Sequence, residues 1–239
     1  MPAEQEIQRL FASPLLRKAY ETYDDPVSPA ALPDAALAFL TAVAGELGAA
    51  SVFEFGSGRS TGALLRHGCS VTSLEDSAHW MQQTLDQLAP SEKARHTPLV
   101  RPLQRRWHGC FPVMDWPIDA DLAGRLRSAD LILVDSPYFA PFRESTLWSA
   151  LVHGESAVVI LDDTRIPTLS RFCDRIAASN PALLHRRVAV GHTFDIFARL
   201  PHTPLQLRHT ALDVLKGWRR FFLARRLVPS SVRIDFDIS

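Results

Sequence analysis

Several features are scarce in this sequence, and each scarcity excludes something. Cysteine occurs only at Cys69, Cys110 and Cys173, an odd set with no metal-ligand spacing, so neither a disulfide framework nor a cysteine zinc site is expected. The three read as buried or half-buried free thiols in a reducing compartment. Lysine is confined to Lys18, Lys93 and Lys216, and the rest of the 26 basic residues are arginine. A lysine general base therefore has few candidates. Excess charge of one sign is missing too. With 26 acidic residues against 26 basic ones, net charge makes no case for nucleic acid, and no such partner is expected. No apolar run approaches the roughly 20 residues that cross a bilayer, so no transmembrane segment is expected. Met1-Pro2-Ala3-Glu4-Gln5-Glu6 has no basic stretch leading into an apolar one, so the protein reads as cytoplasmic, without a signal peptide.

What is present is a chain of 239 residues, 46% hydrophobic and 22% charged, which suits one α/β domain with small terminal additions. Residues 4–23 read as helical, with a break or kink at Pro14. A helix from Pro33 to Leu47 carries Leu37, Leu40, Val43 and Leu47 on one face and stops at Gly48. Strands are expected at Ser51–Phe55, Val71–Leu74, weakly at Leu99-Val100, at Leu131–Val134 and at Ala157–Leu161. Helices are expected at 60–67, 78–88 and 168–178, and residues 105–121 read as irregular. Apolar runs bounded by polar turns are what strands buried on both faces look like, and their alternation with helices predicts a mostly parallel sheet. The runs 186–190 and 194–199, separated by Gly191-His192, predict an antiparallel hairpin at the sheet edge. The segment Lys216 to Arg226 is basic, aromatic and amphipathic. It could meet an anionic surface, but packing of its apolar face on the domain is favoured.

The strongest chemical signal is Glu54-Phe55-Gly56-Ser57-Gly58-Arg59-Ser60-Thr61, where a buried strand turns into a helix. Gly56 and Gly58 allow a sharp turn and close approach of a ligand, and ligands lie beyond the carboxyl ends of strands in open α/β sheets. Glu75, at the end of the next strand, can accept hydrogen bonds from both hydroxyls of a ribose. The two signals together predict nucleoside binding. The dinucleotide pattern wants a third glycine where this chain has Thr61. Glu54 also suits a ligand bearing an amino group better than a pyrophosphate. Asp135, Asp162 and Asp163 end the later strands on the same side. They can orient or deprotonate a substrate, or merely cap turns. His108, His153 and His192 are further candidate bases that spacing does not distinguish. Trp107 and Trp116 could wall a pocket or lie in the core.

Val52 to Leu65, then Val71-Thr72-Ser73-Leu74-Glu75-Asp76 and Trp80, resemble a group of bacterial class I S-adenosylmethionine-dependent methyltransferases, as do Val134-Asp135-Ser136-Pro137 and Asp162-Asp163-Thr164-Arg165. One departure is Ser136, where the group usually has glycine. The resemblance implies a Rossmann-like fold: a mostly parallel seven-stranded sheet with an antiparallel C-terminal hairpin and helices on both faces. It divides the chain into a helical extension (1–34), a cofactor-binding domain (35–200) and a basic amphipathic extension (201–239). It implies S-adenosylmethionine as cofactor, held by Glu54, Phe55, Gly56, Ser57, Gly58, Ser60, Thr61, Glu75, Asp76, Pro102, Leu103 and Asp135. Asp135 and Asp162 become the catalytic candidates for O-methylation of a small-molecule acceptor. Asp135, Asp162 and Asp163 are also similar to the metal site of catechol O-methyltransferase-like enzymes. Asparagine is replaced by Asp163 and the usual lysine is lacking, so a divalent metal is not expected. A nicotinamide-dependent oxidoreductase and a non-catalytic nucleoside-binding partner protein are the alternatives, and homo-oligomer formation is left open.

Overall fold

The computed structural model describes residues 2, 4–17, 32–108, 111–137, 142–155, 157–199 and 204–206. A seven-stranded sheet, ordered β3-β2-β1-β6-β7-β9-β8, forms its centre. The five strands β1 (Ser51–Phe55), β2 (Ser70–Glu75), β3 (His96–Val100), β6 (Leu131–Val134) and β7 (Val158–Leu161) run parallel. The last two, β8 (Leu183–Val190) and β9 (His192–Arg199), form an antiparallel hairpin, and β9 also pairs antiparallel with β7. Gly191, at φ +64°, makes the hairpin turn, in the left-handed region that glycine enters without strain.

Period-two alternation sorts the strand residues between two cores. Val52, Leu131, Leu133, Val158, Ile160 and Phe194 face α1 (Glu4–Ala12), α3 (Asp34–Leu47) and α4 (Arg59–His67). Phe53, Phe55, Ile132, Val134, Val159 and Leu161 face α7 (Ala120–Ser128), α8 (Arg143–His153) and α9 (Pro167–Ser179). The predicted helices on both faces are thus present, with α5 (Ala78–Gln87) and the single turn α6 (Pro90–Lys93) beside β2 and β3. The expected break near Pro14 falls at Ser13, and Pro14 opens the short helix α2 (Pro14–Arg17). Proline suits a first helical position because its missing N–H would have no partner there. The rest of that predicted segment, residues 18–23, and the basic stretch 216–226 lie outside the described residues.

Residues 105–121 are not irregular. They hold a two-stranded antiparallel ribbon, β4 (Gln104–His108) and β5 (Phe111–Asp115), followed by the start of α7. Its strands mix arginine, proline and aromatics, so no clean alternation announces them. Trp116, which follows the ribbon, belongs to the core at 1% exposure, and its Nε1–H donates to the Arg101 carbonyl at 2.7 Å. Helix α8 also escaped the sequence pattern, because it buries Ser145, Thr146 and Ser149 alongside Leu147, Ala150 and Leu151. Cys69 and Cys173 are buried free thiols, both pushed up by burial, and Cys110 lies outside the described residues. Among the described residues no helix is long and apolar enough to cross a membrane.

Gly154 ends α8 against the sheet. A Cβ there would stand 2.3 Å from Ile132 Cδ1 and 2.8 Å from the Ala150 carbonyl oxygen. Gly154→Ala is therefore expected to destabilise the chain by about 1–3 kcal/mol through overpacking. Urea unfolding checks this: the midpoint falls while the m-value stays constant.

Candidate functional site

The site forms where β1, β2, β6 and β7 end. Beyond β1, the Gly56 N–H donates to the Leu74 carbonyl and the Asp135 N–H donates to Phe55, which locks the turn between β2 and β6. Gly56 has φ +107°, and a Cβ on it would lie 3.2 Å from Ser136 Cβ. Both the conformation and the close approach therefore require glycine at this position. Phe55 turns its ring into the core against Phe53 and Trp116, so it offers the site only backbone.

Glu54 lies beneath the turn and has no exposure. Its carboxylate accepts hydrogen bonds from Ser60 Oγ, from Thr61 Oγ1 at 2.6 Å and from Ser73 Oγ at 3.0 Å. Burial raises its pKa, and the three hydroxyls work in the opposite direction. Thr61 does double duty, since its hydroxyl also accepts the Gly58 N–H at 2.9 Å. Ser73 lies 2.9 Å from Nε2 of His96, whose pKa burial lowers. Glu54, Ser60 and Thr61 thus come together, as a framework that shapes the turn from below.

Glu75 ends β2. One of its oxygens accepts the Asp76 and Ser77 N–H groups at 3.0 and 3.2 Å, and the other accepts Ser57 Oγ at 3.2 Å. Burial, followed by the neighbouring Asp76 side chain, raises its pKa to about 7. Trp80 reaches from α5 across the turn and donates its indole N–H to the Ser57 carbonyl at 2.6 Å. A cavity of about 250 Å³ opens here, with Ser57, Gly58, Ser60, Trp80 and Asp135 among the residues that line it. Pro102 is exposed, whereas Leu103 is half-buried and packs on the second core; neither lines this cavity.

The ends of β6 and β7 collect charge. Asp135 borders the cavity with its side chain about one-third exposed (32%), while Asp162 is buried at 2%. Arg143, from the first turn of α8, is itself 5% exposed. Its Nε–H donates to the Pro137 carbonyl at 3.0 Å, Nη1 donates to Asp163 at 3.1 Å, and Nη2 lies 3.2 Å from Asp135. The Asp135 pKa is raised, first by withdrawal from water and then by Asp162 and Asp163, with Arg143 opposing. His192, the first residue of β9, places Nδ1 2.7 Å from Asp162. Burial works to lower its pKa, but that bond and the Asp162 and Asp163 charges prevail and raise it. Arg165 is a distant partner of Asp163 at 3.9 Å.

Asp162, Asp163 and His192 offer three ligand atoms within 4.8 Å of one another. They do not fit a hard divalent ion. Such an ion wants six or more oxygen ligands, while here a guanidinium is bonded to Asp163 and an imidazole to Asp162. Arg143 and His192 are the site residues that sequence reasoning missed or could not single out. A signal did exist for His192: a strand antiparallel to β7 must begin where β7 ends.

No protein-family model and no curated protein matches the sequence. Among solved structures, a methyltransferase from Geobacter sulfurreducens superposes on 84% of this chain and 91% of its own, with a TM-score of 0.53 and 12% identity. The chain has the Rossmann-like methyltransferase fold. Two further structures with lower TM-scores are the Bacillus cereus O-methyltransferase in complex with SAH and the precorrin-6y C5,15-methyltransferase from Geobacter metallireducens. The first covers 84% of this chain and 93% of its own at 17% identity and TM-score 0.49. The second covers 77% and 97% at 12% identity and TM-score 0.49. At these identities the methyltransferase fold is what is shared, and the reaction has to be argued from the site.

Thr61→Val keeps the shape of the side chain but strands the Gly58 N–H and leaves the Glu54 oxygen it served with Ser73 alone. A loss of about 2–4 kcal/mol is expected from two unmade buried bonds, one of them to a carboxylate. Thr61→Ser should retain most of the stability. Denaturant unfolding of the two variants side by side distinguishes the hydrogen bonds from simple packing.

Proposed function

We propose that this chain is an S-adenosylmethionine-dependent methyltransferase acting on an oxygen of a small-molecule acceptor. The observation that carries this reading is the link between Glu75 and Ser57. A carboxylate at the end of β2 is bonded to the glycine turn after β1, and a cavity opens at that turn with Asp135 in its lining. In this reading Glu75 takes the ribose hydroxyls in place of the Ser57 hydroxyl, while Gly56, Ser57, Gly58 and Ser60 surround the methionine part. Asp76, Pro102 and Leu103 would flank the adenine. Glu54 and Thr61 hold the turn, and Phe55 supplies its backbone. The Gly58 N–H is already committed to Thr61, so the turn lacks one of the free amides that a phosphate cradle uses. That supports the S-adenosyl cofactor over a dinucleotide. The cofactor, when bound, supplies an electrophilic methyl group. The chain has to align the acceptor with that methyl group and exclude water. Asp135, at the cavity wall, is placed to orient or deprotonate the acceptor, with Asp162 behind it. Residues 35–200 would form the catalytic domain, with the flanking segments shaping the acceptor pocket.

Calorimetric titration with S-adenosylmethionine and S-adenosylhomocysteine tests the cofactor. Micromolar binding, lost in Glu75→Ala, is expected; absence of binding by the unaltered chain overturns the proposal. Asp135→Asn should leave that affinity nearly unchanged and lower turnover sharply once an acceptor is found.

The pH dependence has a definite sign. Hydroxyl donors favour the ionised carboxylate, and Glu75 without ligand titrates near pH 7. Binding therefore displaces a proton below that pH, and affinity is expected to fall by up to about tenfold per pH unit on the acid side. Isothermal titrations between pH 5 and 8 measure the slope, and Glu75→Gln should flatten it.

A further inference from the structure

We infer that the Arg143 guanidinium is the resident cation of the carboxylate cluster at the ends of β6 and β7, and that it holds Asp135 at the cavity wall without any need for a divalent ion. The cluster brings together Asp135, Asp162 and Asp163, which repel one another when ionised. Arg143 is positioned to answer that repulsion. It is nearly fully buried, and its Nε is spent on the Pro137 carbonyl. That bond aims Nη1 at Asp163 (3.1 Å) and Nη2 at Asp135 (3.2 Å), with Nη1 4.0 Å from Asp162. Asp162 has its own partner in His192, whose Nδ1 lies 2.7 Å away. Asp163 sits at φ +62°, a left-handed conformation that aspartate tolerates better than most residues, and from there its carboxylate meets Arg143 and, more distantly, Arg165.

Guanidinium suits this role better than a metal for a geometric reason. Its planar fork bonds two carboxylates and a carbonyl at once and stays charged at every working pH. An incoming divalent ion would have to displace it or stand beside it. The arrangement also bears on chemistry. An acceptor hydroxyl facing Asp135 gains no acidity from metal coordination, so its proton must leave to a side chain, and a chelating pair of hydroxyls has no advantage over a single one. That last step rests on the methyl-transfer reading; the placement of Arg143 does not.

The test needs neither cofactor nor acceptor. Chelator-treated protein is titrated with Mn2+, and the free aquo ion is followed by electron paramagnetic resonance. The unaltered chain should show no site. Arg143→Met should gain one, with a dissociation constant on the order of 0.1–1 mM, as for weak oxygen-ligand sites, and Asp163→Asn added to Arg143→Met should abolish it. Arg143→Lys, which keeps a cation, should gain none. Stoichiometric Mn2+ binding by the unaltered chain that is lost in Asp163→Asn overturns the inference, as does a folded Arg143→Met that gains no site. Should Arg143→Met fail to fold, the titration of the unaltered chain and of Arg143→Lys still decides. S-adenosylhomocysteine binding, measured separately, reports on the methyl-transfer reading alone.

Discussion

The carboxylate of Glu54, shut away from water, is the constraint around which the site is organised. Removing an ion from water costs several kcal/mol unless its lone pairs are met. Here they are met by three hydroxyls from two elements: Ser60 and Thr61 on α4 and Ser73 on β2. Each partner fixes a different piece of backbone. Ser73 sets β2 beside β1, Ser60 and Thr61 bring the start of α4 down onto the strand end, and Thr61 passes the constraint on to the Gly58 amide. The glycine turn is therefore held from beneath by a group that need not touch a ligand. Its upper surface stays available to the cavity.

A different balance governs the far side of the cavity. Three aspartates meet where β6 and β7 end, and Arg143 and His192 offset them. The two halves of the site thus use opposite solutions to buried charge. Neutral hydroxyls surround one carboxylate, and basic side chains from α8 and β9 meet the others. Between them lies Asp135, the member of the cluster most open to water and the one on the cavity wall. The Asp135 N–H, which donates to the Phe55 carbonyl, ties the two halves together.

Much of this was legible in the residues. Val52 to Phe55, Leu131 to Val134 and Val158 to Leu161 declare themselves because a strand buried on both faces must be apolar throughout. The glycines of the turn and the acid at the end of β2 stand out because backbone geometry and the strand end are local properties. The ribbon β4–β5 and helix α8 were not legible. The ribbon has no clean period, and α8 buries polar residues that periodicity counts as exposed.

The sequence by itself determined where the strands of the main sheet lie, that this sheet is mostly parallel and closed by a hairpin, and which carboxylates end its strands. Those follow from patterns within a few residues of each other. Only the tertiary structure decided which groups answer those carboxylates. Ser73 reaches Glu54 because β1 and β2 are in register. His192 reaches Asp162 because β9 runs back along β7. Arg143 reaches Asp135 and Asp163 because α8 begins where two parallel strands stop. Partners chosen by strand order and helix placement leave no local trace, since the pairing energy depends on distances that exist only after the sheet has formed.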